Sequence, residues 1–317
     1  MFCGWILLCL LGSAAAVDYE SNESVQRFRQ YIRVNTTSYN DLTPAIEFWQ
    51  ARADEAGVPM TVVEIDEGFP ILILRWAGTN SSLNSIMLNS HMDVVPAEAW
   101  TYPPFSAYLD DDGVIWGRGT QDMKSVGFQY YEALRRLKEN NVTLLRDVYM
   151  TLMPDEEIGS LHGMQKFVKS EAFASMNVGF EMDEGSPYNL PAVPLIYQDQ
   201  AVWLDVRVFK SYFLKSRLKR YHCFYVLNLG FCSGLAVLPI AAPGATDGRF
   251  VRSMGIPAFG VSFMANTEAL LHSIDERLSS KTFLYGIDVY EALLPELGNI
   301  PGYRTGDDPS VFVTKAN

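Results

Sequence analysis

Helical and strand-like rhythms of apolar residues alternate along residues 24–182. Helical spacing covers residues 24–33, and a second helix begins after Thr43, with Pro44 in its first turn, and runs toward Ala56. Short apolar runs at 61–65, 71–76 and 85–89 read as strands, as do 147–153, closed by Pro154, and 178–182. Between them, residues 122–138 form an amphipathic helix with Val126, Tyr130, Leu134 and Leu137 near one face. Farther on, 256–263 predicts a strand and 277–297 a long helix. Strands alternating with helices predict an α/β layer fold, three-layered and with a mostly parallel central sheet. There is no internal repeat and no low-complexity tract.

Two stretches break the rhythm. Residues 1–11 are an apolar run without Lys or Arg, followed by small residues in which Ala14 and Ala16 fit a cleavage pattern. The expectation is a signal peptide over 1–16, a mature chain starting near Val17 and a secreted protein. A signal anchor, a mistaken start and a cytoplasmic location stay open. Asn22, Asn35, Asn80 and Asn141 each begin an Asn-x-Ser/Thr triplet, weak support for secretion. The second stretch is a basic run over 210–220, followed by a charge-free run over 223–242. Its length would allow a membrane span, but Asn228, Gly230, Ser233, Gly234 and Pro239 make a poor one. Membrane insertion is not expected. Cys223 and Cys232 could form one local bridge or stay free, and two cysteines do not staple a chain of 317 residues.

A net charge of −12 argues against nucleic acid as a partner, because binding its phosphates takes clustered Lys and Arg. The metal-capable side chains have a more telling placement. His91, the pair Glu156–Glu157 and Glu184 each follow an apolar strand, Asp122 opens a helix, and His272 follows the strand at 256–263. In α/β sheets such exits converge at the carboxyl ends of the strands. Imidazole nitrogen and carboxylate oxygen suit zinc, and a carboxylate between two cations offsets their repulsion. A further carboxylate must take a proton from the attacking water. Each residue alone has a plainer reading. Asp122 could cap a helix, the glutamates could favour a helix start, Asp183 competes with Glu184, and Arg249 could sit in a surface ion pair.

The segments His91-Met92-Asp93-Val94-Val95-Pro96, Trp116-Gly117-Arg118-Gly119-Thr120-Gln121-Asp122-Met123-Lys124, Pro154-Asp155-Glu156-Glu157-Ile158-Gly159, Met182-Asp183-Glu184-Gly185 and Leu270-Leu271-His272 occur in this order. In kind and order they resemble the M20 family of metallopeptidases and amidohydrolases, in particular its aminoacylases. The resemblance implies a zinc-exopeptidase-like α/β/α catalytic domain and two zinc ions per chain. One ion would be held by His91, Asp122 and Glu184, the other by Asp122, Glu157 and His272. It further implies Glu156 as general base, Asp93 as the orienting partner of His91 and a cis peptide after Asp122. Thr246 and Arg249 would face the substrate, Arg249 meeting a carboxylate. The implied reaction is hydrolysis of the amide bond of N-acyl-L-amino acids to a carboxylate and a free L-amino acid. A dipeptidase or carboxypeptidase is the alternative.

The resemblance covers most of 17–208 and resumes near residue 240, giving a catalytic domain in two parts, 17–208 and 240–317. Family members carry a lid and dimerisation domain at this junction, opened by a Gly-His-Ala or Gly-His-Ser motif whose histidine helps hold the tetrahedral intermediate. Neither motif occurs here, and the atypical segment 209–239 stands in the lid's place. Loss of an oxyanion donor costs on the order of 100- to 1,000-fold in rate. A zinc-binding pseudoenzyme is therefore a further reading, and dimerisation stays open because its usual domain is missing.

Overall fold

The structure, a computed structural model, describes residues 18–188, 195–197, 238–240 and 245–301. The apolar run at 1–11, the basic run, His222, Cys223 and Cys232 lie outside the described residues, as does the atypical segment apart from Leu238 and Pro239. Helices α1 (Glu23–Arg33) and α2 (Thr43–Ala56) precede strands β1 (Met60–Glu64), β2 (Pro70–Trp76) and β3 (Ser85–His91). Then come β4 (Tyr108–Leu109), β5 (Val114–Trp116), α3 (Lys124–Glu139) and β6 (Val148–Met153). The short helices α4 (Met164–Phe167) and α5 (Glu171–Met176) lead to β7 (Val178–Asp183), followed by β8 (Leu195–Tyr197) and β9 (Leu238–Ile240). The chain closes with α6 (Gly248–Ser253), β10 (Ala258–Val261), β11 (Arg277–Ser279) and α7 (Ser280–Gly298).

Eight strands form one sheet in the order β1-β2-β6-β3-β7-β10-β8-β9. The inner strands β6, β3, β7 and β10 run parallel, and β1, β2 and β8 join antiparallel to their inner neighbours. Strand alternation separates two cores. Leu72, Leu74, Leu88, Met150 and Met182 pack with α1, α2, α3 and α7, while Ile71, Ile73, Met87 and Met153 pack with α4, α5 and α6. Because successive side chains point to opposite faces, this split produces the three layers. Strand β3 is buried along its whole length, as expected for a parallel strand covered on both faces. Helix α3 lies close on β3, because a Cβ at Gly127 would stand 2.4 Å from Ser90 Oγ.

Three expectations need correction. The helix expected over 277–297 begins only at Ser280, because Arg277, Leu278 and Ser279 pair antiparallel with Trp116, Ile115 and Val114 in a small second sheet. The helix expected from Asp122 begins at Lys124. The strand expected over 256–263 is shortened to Ala258–Val261. Among the described residues, no helix is long and apolar enough to cross a membrane.

Candidate metal centre

Register brings the first four metal-capable groups to one end of the sheet. His91, the last residue of β3, pairs with Met153, the last of β6, and the chain turns there to Glu156 and Glu157. Leu88 of β3 pairs with Met182, so Glu184 leaves β7 at the same level. Gly185 allows that exit, since a Cβ there would stand 2.5 Å from the Ser262 nitrogen. Asp122 comes from the loop before α3 and His272 from the loop before β11, a left-handed residue with φ 56°.

Asp122 lies between the two histidines. Its Oδ1 is 3.1 Å from His91 Nε2 and its Oδ2 is 3.1 Å from His272 Nε2. His272 Nε2 is also 2.9 Å from Glu157 Oε2. On the other side, His91 Nε2 stands 3.7 Å from Glu184 Oε2 and 4.0 Å from Glu156 Oε2. Donor atoms of His91, Asp122 and Glu157 lie within 4.8 Å of one another, as do those of His91, Glu156 and Glu184. Met123 stands at the N-cap of α3, and no side-chain bond caps that helix there. The bond between Asp122 and Met123 is cis. Asp183 turns away from the cluster, accepting from Asn89 Nδ2 at 3.1 Å and from the Gly248 N–H at 2.8 Å.

Asp93 is the neighbour of the His91 ring on its Nδ1 side. The ring Nδ1 is 2.8 Å from the Asp93 main-chain oxygen and 3.5 Å from its Oδ1. The carboxylate instead accepts the N–H groups of Glu156 at 3.0 Å and Glu157 at 3.1 Å, and the Ser38 hydroxyl at 3.2 Å. One residue thus orients the imidazole through its backbone and the glutamate turn through its side chain. That turn is closed by Gly159 at φ 101° and by Asp155, whose carboxylate accepts from the N–H groups of His162 and Gly163. Arg249 ties α6 to the same turn, donating to the Gly159 oxygen at 2.9 Å and to the Thr246 oxygen at 3.2 Å.

Four carboxylates around two imidazoles create strong local fields. Burial alone would lower the His91 pKa, but the nearby carboxylates of Asp122, Asp93 and Glu184 outweigh it and hold it well above its ordinary value. His272 is raised to about 10 by hydrogen bonds to Asp122 and Glu157. Burial and then the Glu184 charge push Glu156 up to about 10, and burial and the Asp122 charge raise Glu184. Behind them, burial and Asp183 raise Asp247 to about 7. Carboxylates crowded this closely favour a cation between them, and a bound divalent ion would lower their pKa values again. Glu157 Oε1 is buried with no hydrogen-bond partner. Nitrogen and oxygen donors this close, with one oxygen left free, fit a metal.

Residues 87–197 match the model of peptidase family M20/M25/M40. The chain is similar to aminoacylase-1 of Mus musculus, 32% identical, over 90% of this chain and 98% of that protein. The chain belongs to this M20 family. Aminoacylase-1 of Homo sapiens is 30% identical over 89% of this chain and 97% of its own length. Among solved M20 structures, the Sulfolobus solfataricus metallo-carboxypeptidase Sso-CP2 superposes with a TM-score of 0.64 at 13% identity, over 86% of this chain and 99% of that one. Human carnosine dipeptidase 1 gives a TM-score of 0.63 at 12% identity, over 87% and 97%. M20 membership makes the chain a metal-dependent hydrolase of amide bonds, and the α/β/α layers are the M20 catalytic fold.

All the expected metal-capable residues come together here, while Arg249 and Thr246 sit on the adjoining α6 side. Sequence reasoning missed Glu276, Gln121 and Ser38. Gln121 precedes Asp122 in the sequence, but its side chain carries no metal-ligand chemistry to single it out. Glu276 had no local signal beyond an acidic residue shortly after His272.

Proposed function

We propose that this chain uses two zinc ions to hydrolyse the amide bond of small N-acylated L-amino acids, releasing a carboxylate and the free amino acid. The observation that carries this reading is Asp122 standing 3.1 Å from both His91 and His272, with Glu184 and Glu157 on either side. That arrangement supports His91, Asp122 and Glu184 as the holders of one ion and Asp122, Glu157 and His272 as holders of the other. Zinc is favoured by the mixture of imidazole and carboxylate. The substrate class rests on similarity to aminoacylase-1 over nearly its whole length.

Bound zinc supplies Lewis acidity and eases deprotonation of the attacking water. The chain supplies the rest. Glu156 takes the proton of that water and passes it to the leaving nitrogen, a general acid–base role. Asp93 holds Glu156 and Glu157 by their backbone N–H groups and His91 by its ring. Arg249 meets the carboxylate of the substrate amino acid, with Thr246 beside it, as a guanidinium is suited to do.

A second reading is favoured by one observation. The alignment to the mouse relative spans 399 positions, more than the 317 residues of this chain, so part of that relative has no counterpart here. We infer that the missing part is the lid and dimerisation domain, whose place segment 209–239 takes between catalytic parts 17–208 and 240–317. Such a chain would bind zinc and turn over slowly or not at all, and it would lack the usual dimer surface. The apolar leader supports secretion. Turnover of N-acetylmethionine and of a dipeptide, with a Glu156→Gln control, tests the proposal. Faster hydrolysis of the acyl amino acid supports it, dipeptide preference favours an exopeptidase, and zinc binding with no turnover above the control favours the pseudoenzyme.

A further inference from the structure

We propose that Glu276 and Gln121 are positioning residues that lock the loops of Asp122 and His272 into one unit and so set the spacing of the two cation sites. The inference rests on the two-metal reading above and adds residues that coordinate nothing. Glu276 is completely buried at the start of β11. Its Oε1 accepts the N–H of Gln121 at 2.6 Å and of Asp122 at 3.2 Å. Its Oε2 accepts the N–H of Gly119 at 3.1 Å and Arg118 Nη1 at 2.8 Å. Its main-chain oxygen accepts a fifth donor, the Gly117 N–H, at 3.0 Å. The whole approach to Asp122 is therefore strung on one carboxylate.

Gln121 closes the link from the opposite side. Its Oε1 accepts the Leu270 N–H at 2.8 Å, and its Nε2 donates to the main-chain oxygens of Glu268 at 3.0 Å and Arg277 at 2.8 Å. Those bonds span the loop that presents His272. Residues 121 and 122 are neighbours, so the segment that aims Asp122 at His91 also carries the clasp that aims His272 at Asp122. The His272 side chain is 55% exposed, so little packing holds it; the hydrogen-bonded loop does.

The chemistry explains why Glu276 must be a carboxylate. Four donors converge on two side-chain oxygens, and an amide would turn its own NH2 toward two of them, leaving buried donors unmet. Partners outside the coordination sphere typically change metal affinity ~10- to 100-fold.

The test is zinc affinity, measured by competition with a chromophoric chelator, on the full chain and on Glu276→Gln, Gln121→Ala and Glu132→Gln. Glu132 is an equally buried carboxylate, paired with Arg27 and Arg135 and not with a residue of the site, and controls for lost stability. Glu276→Gln is expected to raise the zinc dissociation constant ~10- to 100-fold and to alter the visible spectrum of the cobalt(II) form. Glu132→Gln should lower the melting temperature of the metal-free protein and leave zinc affinity within about twofold. If Glu276→Gln does not fold, Gln121→Ala carries the test, with weakened binding expected for one of two ions. Zinc affinity and cobalt spectrum unchanged in a folded Glu276→Gln or Gln121→Ala, or an equal loss in Glu132→Gln, would overturn the proposal. Wild type that binds no zinc refutes the two-metal reading instead.

Discussion

Asp93 holds the Glu156 backbone at 3.0 Å through the same residue whose main-chain oxygen steadies His91. The proposed base and a metal-capable imidazole are thereby fixed to one another without touching the same atom of Asp93. Asp93→Asn keeps the shape but puts an NH2 where one of two N–H groups must be received. The expected result is a ~10- to 100-fold fall in kcat/KM with the fold retained, checked by steady-state kinetics beside circular dichroism.

Glu156→Gln removes the proposed proton acceptor and leaves the proposed ligands in place. Turnover should fall ~100- to 10,000-fold while bound zinc per chain stays the same. Loss of zinc along with activity would make Glu156 a ligand instead, a role its 4.0 Å approach to His91 makes worth separating.

Much of this centre was legible in the sequence because parallel strands end at a common edge, so His91, Glu156, Glu157 and Glu184 could be placed by counting strand exits. The α/β/α layers followed from strands alternating with helices, and in the fold Leu72 and Leu74 face one core and Ile71 and Ile73 the other. What escaped were hydrogen bonds between distant loops. Glu276 reaches Asp122 across 154 residues, and no local spacing encodes that. The strand at Arg277–Ser279 escaped for a related reason: its partner, β5, is itself only Val114–Trp116, and three apolar-polar residues beside a helix read as more helix.

Arg249 has a structural bond to Gly159 and a proposed bond to substrate, and the two can be told apart. Arg249→Ala should lower kcat/KM for N-acetylmethionine by ~10- to 100-fold, the range for a charge-assisted hydrogen bond. For N-acetylmethionine amide, which has no carboxylate, the loss should be much smaller. Equal losses on both substrates would leave only the structural role.

Acid stability should respond to Glu132. Burial would raise its pKa, but hydrogen bonds from Arg27 and Arg135 more than offset that and hold it below the ordinary 4.5. A carboxylate depressed on folding stabilises fully above its unfolded pKa, and the contribution is lost as pH falls through the folded value. Glu132→Gln breaks a buried pair at a cost of ~3–5 kcal/mol near neutral pH. Its melting temperature should also change less than that of wild type as pH drops below about 4.5, measured by thermal scans across acidic buffers.

The most direct measurement counts zinc per folded chain, by elemental analysis after dialysis, for wild type and His272→Ala. Two ions in wild type and about one in the variant are the expected result, because His272 and Glu157 stand on one side of Asp122 and His91 and Glu184 on the other. A single ion in wild type, undiminished in His272→Ala, would contradict a paired centre built around Asp122.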